Sequence, residues 1–163
     1  MPRDMIFRGE NFIFSYRVGG LLFHEKKVLL QRTVGSDFYG IPGGHVAFGE
    51  TTEETLAREF YEEMGAEITI RRLVLVGENF FPWADRTPCQ QISFYYEVEL
   101  VDEKQIPLEG SFRAVDEMEG QLHPLEFCWM PLDQLREITL YPVAVAKELS
   151  SLPEGVKHFV VRE

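Results

Sequence analysis

Residues 44–66 read GHVAFGETTEETLAREFYEEMGA, and this stretch carries more structural information than any other part of the chain. It opens as a glycine-rich loop and turns into a helix. Thr51, with Glu54 three places on, forms a capping box that satisfies orphan amides at a helix start. Leu56, Ala57, Phe60 and Met64 recur at helical spacing, and Gly65 stands where a left-handed cap would end the helix. At about 100° per residue, Glu59 and Glu63 fall on one face with Glu62 about 60° to the side. The three carboxylates then share an arc roughly 100° wide, and the four apolar residues fill the adjoining arc, expected to face a core. One helix carries a buried stripe and an acidic stripe side by side.

Three neighbouring carboxylates are costly. At about 5 Å and an effective dielectric near 20, each pair repels by roughly 3 kcal/mol. Arg58 can offset part of this through an (i, i+4) pair with Glu62, but such exposed pairs contribute only about 0.3–0.5 kcal/mol. The remainder calls for a cation or for raised pKa values. Hard oxygen donors on a rigid helix suit magnesium or manganese, which bind through few carboxylates plus substrate phosphates. An ordinary solvated acidic face is the other reading of the same residues.

Outward from the helix, the chain reads as strands. Phe12 to Val18 alternates, with Phe12, Phe14, Tyr16 and Val18 expected on one face. Leu21–Phe23 and Val28–Leu30 flank the polar turn His24 to Lys27 and predict a hairpin. Gly35 to Gly49 reads as a glycine-rich loop around Pro42. After the helix come strands at Ile68–Val76 and Ile92–Leu100, joined by an aromatic loop, Asn79-Phe80-Phe81-Pro82-Trp83. An acidic segment, Asp116 to Glu119, precedes a strand near Glu126–Met130. Pro142 starts a short helix, and Phe159–Val161 adds a last strand. Strands and helices mix without regular alternation, which predicts α+β.

The 163 residues suit one domain, residues 1–163, and 45% hydrophobic with 26% charged residues is ordinary for a globular core. No apolar run approaches the roughly 20 residues of a membrane span. The charged start, MPRDMIFRGENF, lacks the apolar core of a secretion signal, so a cytoplasmic protein is expected. Cys89 and Cys128 form no metal-binding spacing and read as reduced thiols. With 27 acidic against 16 basic residues, the net charge of −11 disfavours long nucleic acids. It also disfavours an anionic ligand, unless metal ions invert the local field.

Gly44, Glu50, Arg58, Glu59, Phe60, Glu62, Glu63 and Gly65 match place for place the box G-x5-E-x7-R-E-U-x-E-E-x-G-U, and by it the chain resembles the Nudix hydrolases. At about 7% per position, seven fixed residues coincide by chance in about one start in 10⁸. The final box position departs: Ala66 stands where a larger aliphatic residue is usual. Val28 to Arg32, Ile41 to Gly44, and Trp129 to Leu132 with Leu135 extend the resemblance to residues 15–150. It implies the Nudix α/β/α sandwich with a mixed β-sheet and a magnesium- or manganese-dependent pyrophosphohydrolase. The substrate would be a nucleoside diphosphate linked to another group, cut by water attack on phosphorus.

The resemblance further implies metal ligation by Glu59, Glu62, Glu63 and the carbonyl of Gly43. Arg58 would hold the carboxylates and Glu50 would support the site through water or a second metal. The general base is open among Glu117, Glu119, Glu97 and Glu99. Arg17 and Arg32 are candidates for substrate phosphates or for surface salt bridges; Phe81, with Phe80 and Trp83, is a candidate for stacking a base or packing under its loop. His45 reads as a loop residue within reach of a phosphate. Pro82 stands sixteen places after Ala66, a spacing the family associates with ADP-ribose. Nucleoside triphosphates and nucleotide sugars stay open, as does a homodimer. A non-catalytic nucleotide sensor is the main rival, and such modules lose box glutamates that this chain keeps. A cysteine-dependent isomerase would need a motif that Thr87-Pro88-Cys89-Gln90-Gln91 does not match.

Overall fold

The structure is a computed structural model and describes residues 3–118 and 121–163. In chain order its elements are β1 (Ile6–Arg8), β2 (Ile13–His24), β3 (Lys27–Thr33), β4 (Phe38–Tyr39), β5 (Gly43–His45), α1 (Thr52–Met64), β6 (Ile68–Pro82), β7 (Pro88–Leu100), β8 (Ser111–Met118), β9 (Gln121–Pro131), β10 (Thr139–Leu140), α2 (Val143–Ala146) and β11 (Lys157–Arg162).

The two expected segments at 12–18 and 21–23 are one long strand, β2. The glycines between them, Gly19 and Gly20, sit where other side chains come too close for a Cβ: one on Gly20 would meet the Phe60 ring at 2.8 Å. Both faces of β2 are covered, so the simple alternation expected there does not hold. Ile13 and Ser15 are buried, while Phe12 lies outside the strand and is exposed. The hairpin to β3 turns on Glu25 and Lys26, both at positive φ, as a tight two-residue turn demands.

Strand β2 organises the sheet. One edge pairs in parallel with β7 from Ile13 to Leu22. Its other edge is shared by β1, by β5 opposite Arg17 to Gly19, and by β3 only at Phe23 and His24. Strands β2 and β3 therefore splay apart from their turn, and β3 continues into β9 and β8. At the far side β7 pairs with β6, and β11 lies parallel to β6. The sheet is mixed, as expected. The glycine loop is less irregular than its composition suggests, since it contains β4 and β5. Likewise Asn79 to Pro82 belong to β6, leaving Trp83 to begin the turn, and the acidic segment up to Met118 ends strand β8.

Each face of the sheet carries a core. Leu56 and Phe60 of α1 pack with Val18, Leu22, Leu29, Tyr96, Val98, Phe127 and Trp129. On the opposite face, Val145 of α2 and Leu149 pack with Leu21, Val28, Leu30, Val74, Leu75 and Tyr95. This is the expected α/β/α arrangement. Full burial of Phe60 contributes about 2–3 kcal/mol by transfer alone. The helix stripe differs in one place. Ala57 is exposed, and Thr52 and Thr55 are buried in its stead. Thr52 pairs its hydroxyl with that of Tyr96 at 2.6 Å, pinning the first turn to the sheet.

Candidate active site

The helix starts as its sequence demands: the Glu54 amide donates to Thr51 Oγ1, and Gly65 at φ 68° closes the other end. Thr55 explains why a polar residue is buried there. Its hydroxyl accepts from the Ala47 amide at 3.2 Å and donates to Glu50 Oε1 at 2.7 Å, tying the loop to the helix. Glu50 is thereby presented to Arg58, whose Nε donates to Glu50 Oε2 at 2.9 Å and whose Nη2 donates to Oε1 at 3.0 Å. The same guanidinium reaches Glu59 at 3.3 Å and Glu62 at 3.0 Å. One cation thus knots three carboxylates. The hydrogen bond from Arg58 holds the Glu50 carboxyl below its ordinary range, and Glu50 raises Arg58 above its own.

Glu59 is the most enclosed of these, with 12% of its side chain exposed, against 53% for Glu62. Its carboxylate lies against the backbone of β5. A Cβ on Gly44 would meet Glu59 Cδ at 2.7 Å and Oε1 at 2.9 Å, so only glycine leaves room for the acid. A Cβ on Gly43 would strike the Val18 carbonyl oxygen at 2.0 Å, so this residue too needs its bare backbone. One turn along, Glu63 withdraws both carboxylate oxygens from solvent. Burying a carboxylate is costly unless a cation or hydrogen bonds compensate it.

Among the described residues, no three acidic, imidazole or thiol side chains converge as a metal-holding group. Glu59 and Glu62 turn instead to Arg58, which offsets their repulsion. The donor set nevertheless fits a hard divalent ion: carboxylate oxygens on a rigid helix, beside a glycine backbone kept clear of side chains. Structure therefore brings Glu50, Arg58, Glu59 and Glu62 into one cluster, with Gly43 behind Gly44 and Glu63 one turn on.

The remaining candidates separate. Arg17, Arg32 and Phe81 all line a single cleft of about 720 Å³, on the sheet face away from α1 and opened by the splay of β2 from β3. Trp83 lines it too and stacks on Phe81 with centroids 6.2 Å apart. Arg32 is engaged: Nη2 lies 2.8 Å from Glu126, and the guanidinium sits over the Tyr39 ring. Arg17 has no ion-pair partner among the described residues. Of the base candidates, Glu97 pairs with Arg72 at 3.3 Å and Glu99 with Arg71 at 2.6 Å. They share the strand parity of Tyr95, which faces away from α1. Glu117 lies on β8, and Glu119 lies outside the described residues.

Sequence reasoning missed the polar floor of the cleft. Asn79 lines it, 5% exposed, with its Oδ1 lacking a hydrogen-bond partner, as does Gln31 Oε1. His45, read as a loop residue, is buried on β5 and bonded to Ser15 Oγ at 3.1 Å. Burial, and then the nearby Arg17 charge, push its pKa down to about 3, so it is neutral at physiological pH. No motif marks these residues, because Ser15 and Gln91 are 76 positions apart. Both cysteines are free thiols, and burial pushes Cys89 up to about 11, far from a ready nucleophile.

Solved structures repeat this architecture. A NUDIX hydrolase from Nitrosomonas europaea is 18% identical over 91% of this chain and 79% of its own, with a TM-score of 0.60. A UDP-X diphosphatase is 19% identical over 88% of this chain, which spans 66% of that protein, with a TM-score of 0.58. An ADP-ribose pyrophosphatase from Streptococcus suis is 16% identical over 89% of this chain and 98% of its own, with a TM-score of 0.56. At such identities the likeness is one of fold. The sequence itself matches the NUDIX domain over residues 14–149, which takes in the knotted carboxylates, the glycine strand and most of the cleft. The chain belongs to the Nudix hydrolase family, whose members act on phosphoric anhydride bonds.

Proposed function

We propose that this chain is a magnesium-dependent pyrophosphohydrolase that cleaves a nucleoside diphosphate joined to another group, by attack of water on phosphorus. The observation that carries the reading is the Glu59 carboxylate set against the Gly43–Gly44 backbone, beside an arginine that gathers Glu50, Glu59 and Glu62. Glu59, Glu62, Glu63 and the Gly43 carbonyl would hold magnesium or manganese. Such an ion polarises water and neutralises a diphosphate when bound.

The chain's own groups do the positioning. Glu50 fixes Arg58 from the loop, and Arg58 keeps the acidic side chains from swinging into solvent. Arg17, without an ion-pair partner among the described residues, supplies a charge for a phosphate oxygen, and it stands opposite His45 in the β2–β5 pairing. Phe81 and Trp83 offer a stacking wall, and Asn79 and Gln31 offer amides whose oxygens a base's N–H groups would satisfy. Arg32 serves the wall itself through Glu126 and Tyr39. The base is sought at Glu117 or Glu119, since Glu97 and Glu99 are tied to arginines on the other face.

Pro82 lines the cleft at the end of β6, which makes an ADP-ribose-like compound the first substrate to test. Nucleoside triphosphates and nucleotide sugars follow. The test is a nucleotide panel with magnesium, products weighed by mass spectrometry, and hydrolysis in oxygen-18 water to locate the attacked phosphorus. EDTA should abolish turnover and magnesium restore it. Turnover that survives EDTA would overturn the proposal.

A further inference from the structure

A chain of hydrogen bonds runs beneath the cleft. His45 Nε2 lies 3.1 Å from Ser15 Oγ, Ser15 donates to Gln91 Oε1 at 3.0 Å, and Gln91 Nε2 donates to Ser93 Oγ at 3.1 Å. All four residues are buried, Ser15 completely. Strand register sets them up, because Ser15 stands opposite Gln91 and Arg17 opposite both Ser93 and His45. Proton counting then gives the chain a direction. A hydroxyl has one proton to donate, and that of Ser15 goes to Gln91. His45 must therefore donate from Nε2.

The two ends lie in different regions. Gln91 and Ser93 line the cleft. His45 ends β5, a strand of three residues whose Gly44 meets Glu59 on the opposite side. So short a strand is held by few bonds, and among the described residues its only strand partner in the sheet is β2.

We infer that Gln91 is a positioning residue, which acts through Ser15 and His45 to hold the Gly43–Gly44 backbone against Glu59. The floor of the cleft and the carboxylate site then move as one unit. The kinetic consequence rests on the hydrolase reading proposed above; the hydrogen-bond consequence does not.

The first measurement is a long-range proton–nitrogen correlation on ligand-free, ¹⁵N-histidine-labelled protein. Wild type should show His45 as the Nε2–H tautomer. Gln91→Met removes the acceptor of the Ser15 proton, which becomes free to donate to His45 Nε2, and the ring proton should shift toward Nδ1. Gln90→Met, on the neighbouring exposed residue, should leave these signals in place. With ADP-ribose and magnesium, Gln91→Met should lower kcat about tenfold, the scale of a small displacement of catalytic groups, and leave KM within about twofold. Ser15→Ala should do the same, and the double variant no more than either single change, because both cut one chain. If Gln91→Met fails to fold, Ser15→Ala, which removes the partner of His45 Nε2, takes its place in both measurements. An Nδ1–H ring in wild type, His45 signals unmoved by the variant, additive losses, or a raised KM at constant kcat would each overturn the inference. Absence of turnover in wild type on every substrate of the panel would instead sink the hydrolase reading and leave the spectroscopic arm to decide.

Discussion

The two faces of the sheet hold different kinds of site. On the α1 face, charge is concentrated and local: Glu50, Arg58, Glu59 and Glu62 lie within thirteen positions and meet at one guanidinium. On the α2 face the cleft is largely neutral, walled by aromatic rings and floored by amides and hydroxyls drawn from β3, β6 and β7. The glycine strand β5 is the partition, with Glu59 behind Gly44 on one side and His45 bonded to Ser15 on the other. The contrast suggests a division of labour. The acidic face would manage phosphate charge through a metal, and the neutral face would recognise the rest of the substrate.

Substitutions on the acidic face should break this division most visibly. Glu62→Gln and Glu63→Gln are expected to lower kcat about a thousandfold or more, the scale of removing a principal charge-stabilising group, while circular dichroism shows an intact fold. Near-normal turnover in both, with magnesium present, would erase the distinction. Next comes Gly44→Ala, which pushes a methyl into the Glu59 carboxylate. A loss of about a hundredfold in kcat is expected from the displaced acid, with little change in the affinity of a non-hydrolysable analogue measured by calorimetry.

Apart from the hydrogen-bonded chain of Gln91, Ser15 and His45, the neutral face should answer in KM. Arg17→Met removes a charge-assisted contact and is expected to raise KM about tenfold at nearly constant kcat. Phe81→Ala should raise it about fivefold for substrates with a stacking base and less for those without. Loss of kcat instead of affinity in either variant would mean that the cleft belongs to the chemistry.

The smallest effect is on stability. Arg58 holds the Glu50 carboxyl below its ordinary value of 4.5, so the folded state binds fewer protons there than the unfolded state. That contribution is fully present above pH 4.5 and is lost as pH falls through the lowered folded value. For a partly exposed pair it amounts to about 1 kcal/mol. Urea denaturation between pH 7 and 3 should show Glu50→Gln with a shallower acid-side decline than wild type.

The acidic face is legible in the sequence because its residues sit on one helix, where spacing converts directly into direction. The capping threonine, the closing glycine and the pairing of Arg58 with Glu62 all appeared where periodicity placed them. Ala57 is exposed because the buried arc of α1 is centred on Thr52, Thr55, Leu56 and Phe60, which leaves Ala57 beyond its edge. Thr52 and Thr55 can be buried because their hydroxyls find partners in Tyr96, Ala47 and Glu50. In β2 the expected one-sided alternation failed for a related reason, since a strand covered on both faces has no solvent side to alternate with.

What the sequence determined alone was the helix, its paired apolar and acidic stripes, and the box whose spacing identifies the family. These follow from a fixed rotation per residue and need no distant partner. Only the tertiary structure could join Arg17, Arg32 and Phe81 in one cleft, bury His45 against Ser15 and Gln91, and turn Glu97 and Glu99 toward arginines. Those outcomes depend on strand register and on where β2 parts from β3, and register is set by the packing of both sheet faces together.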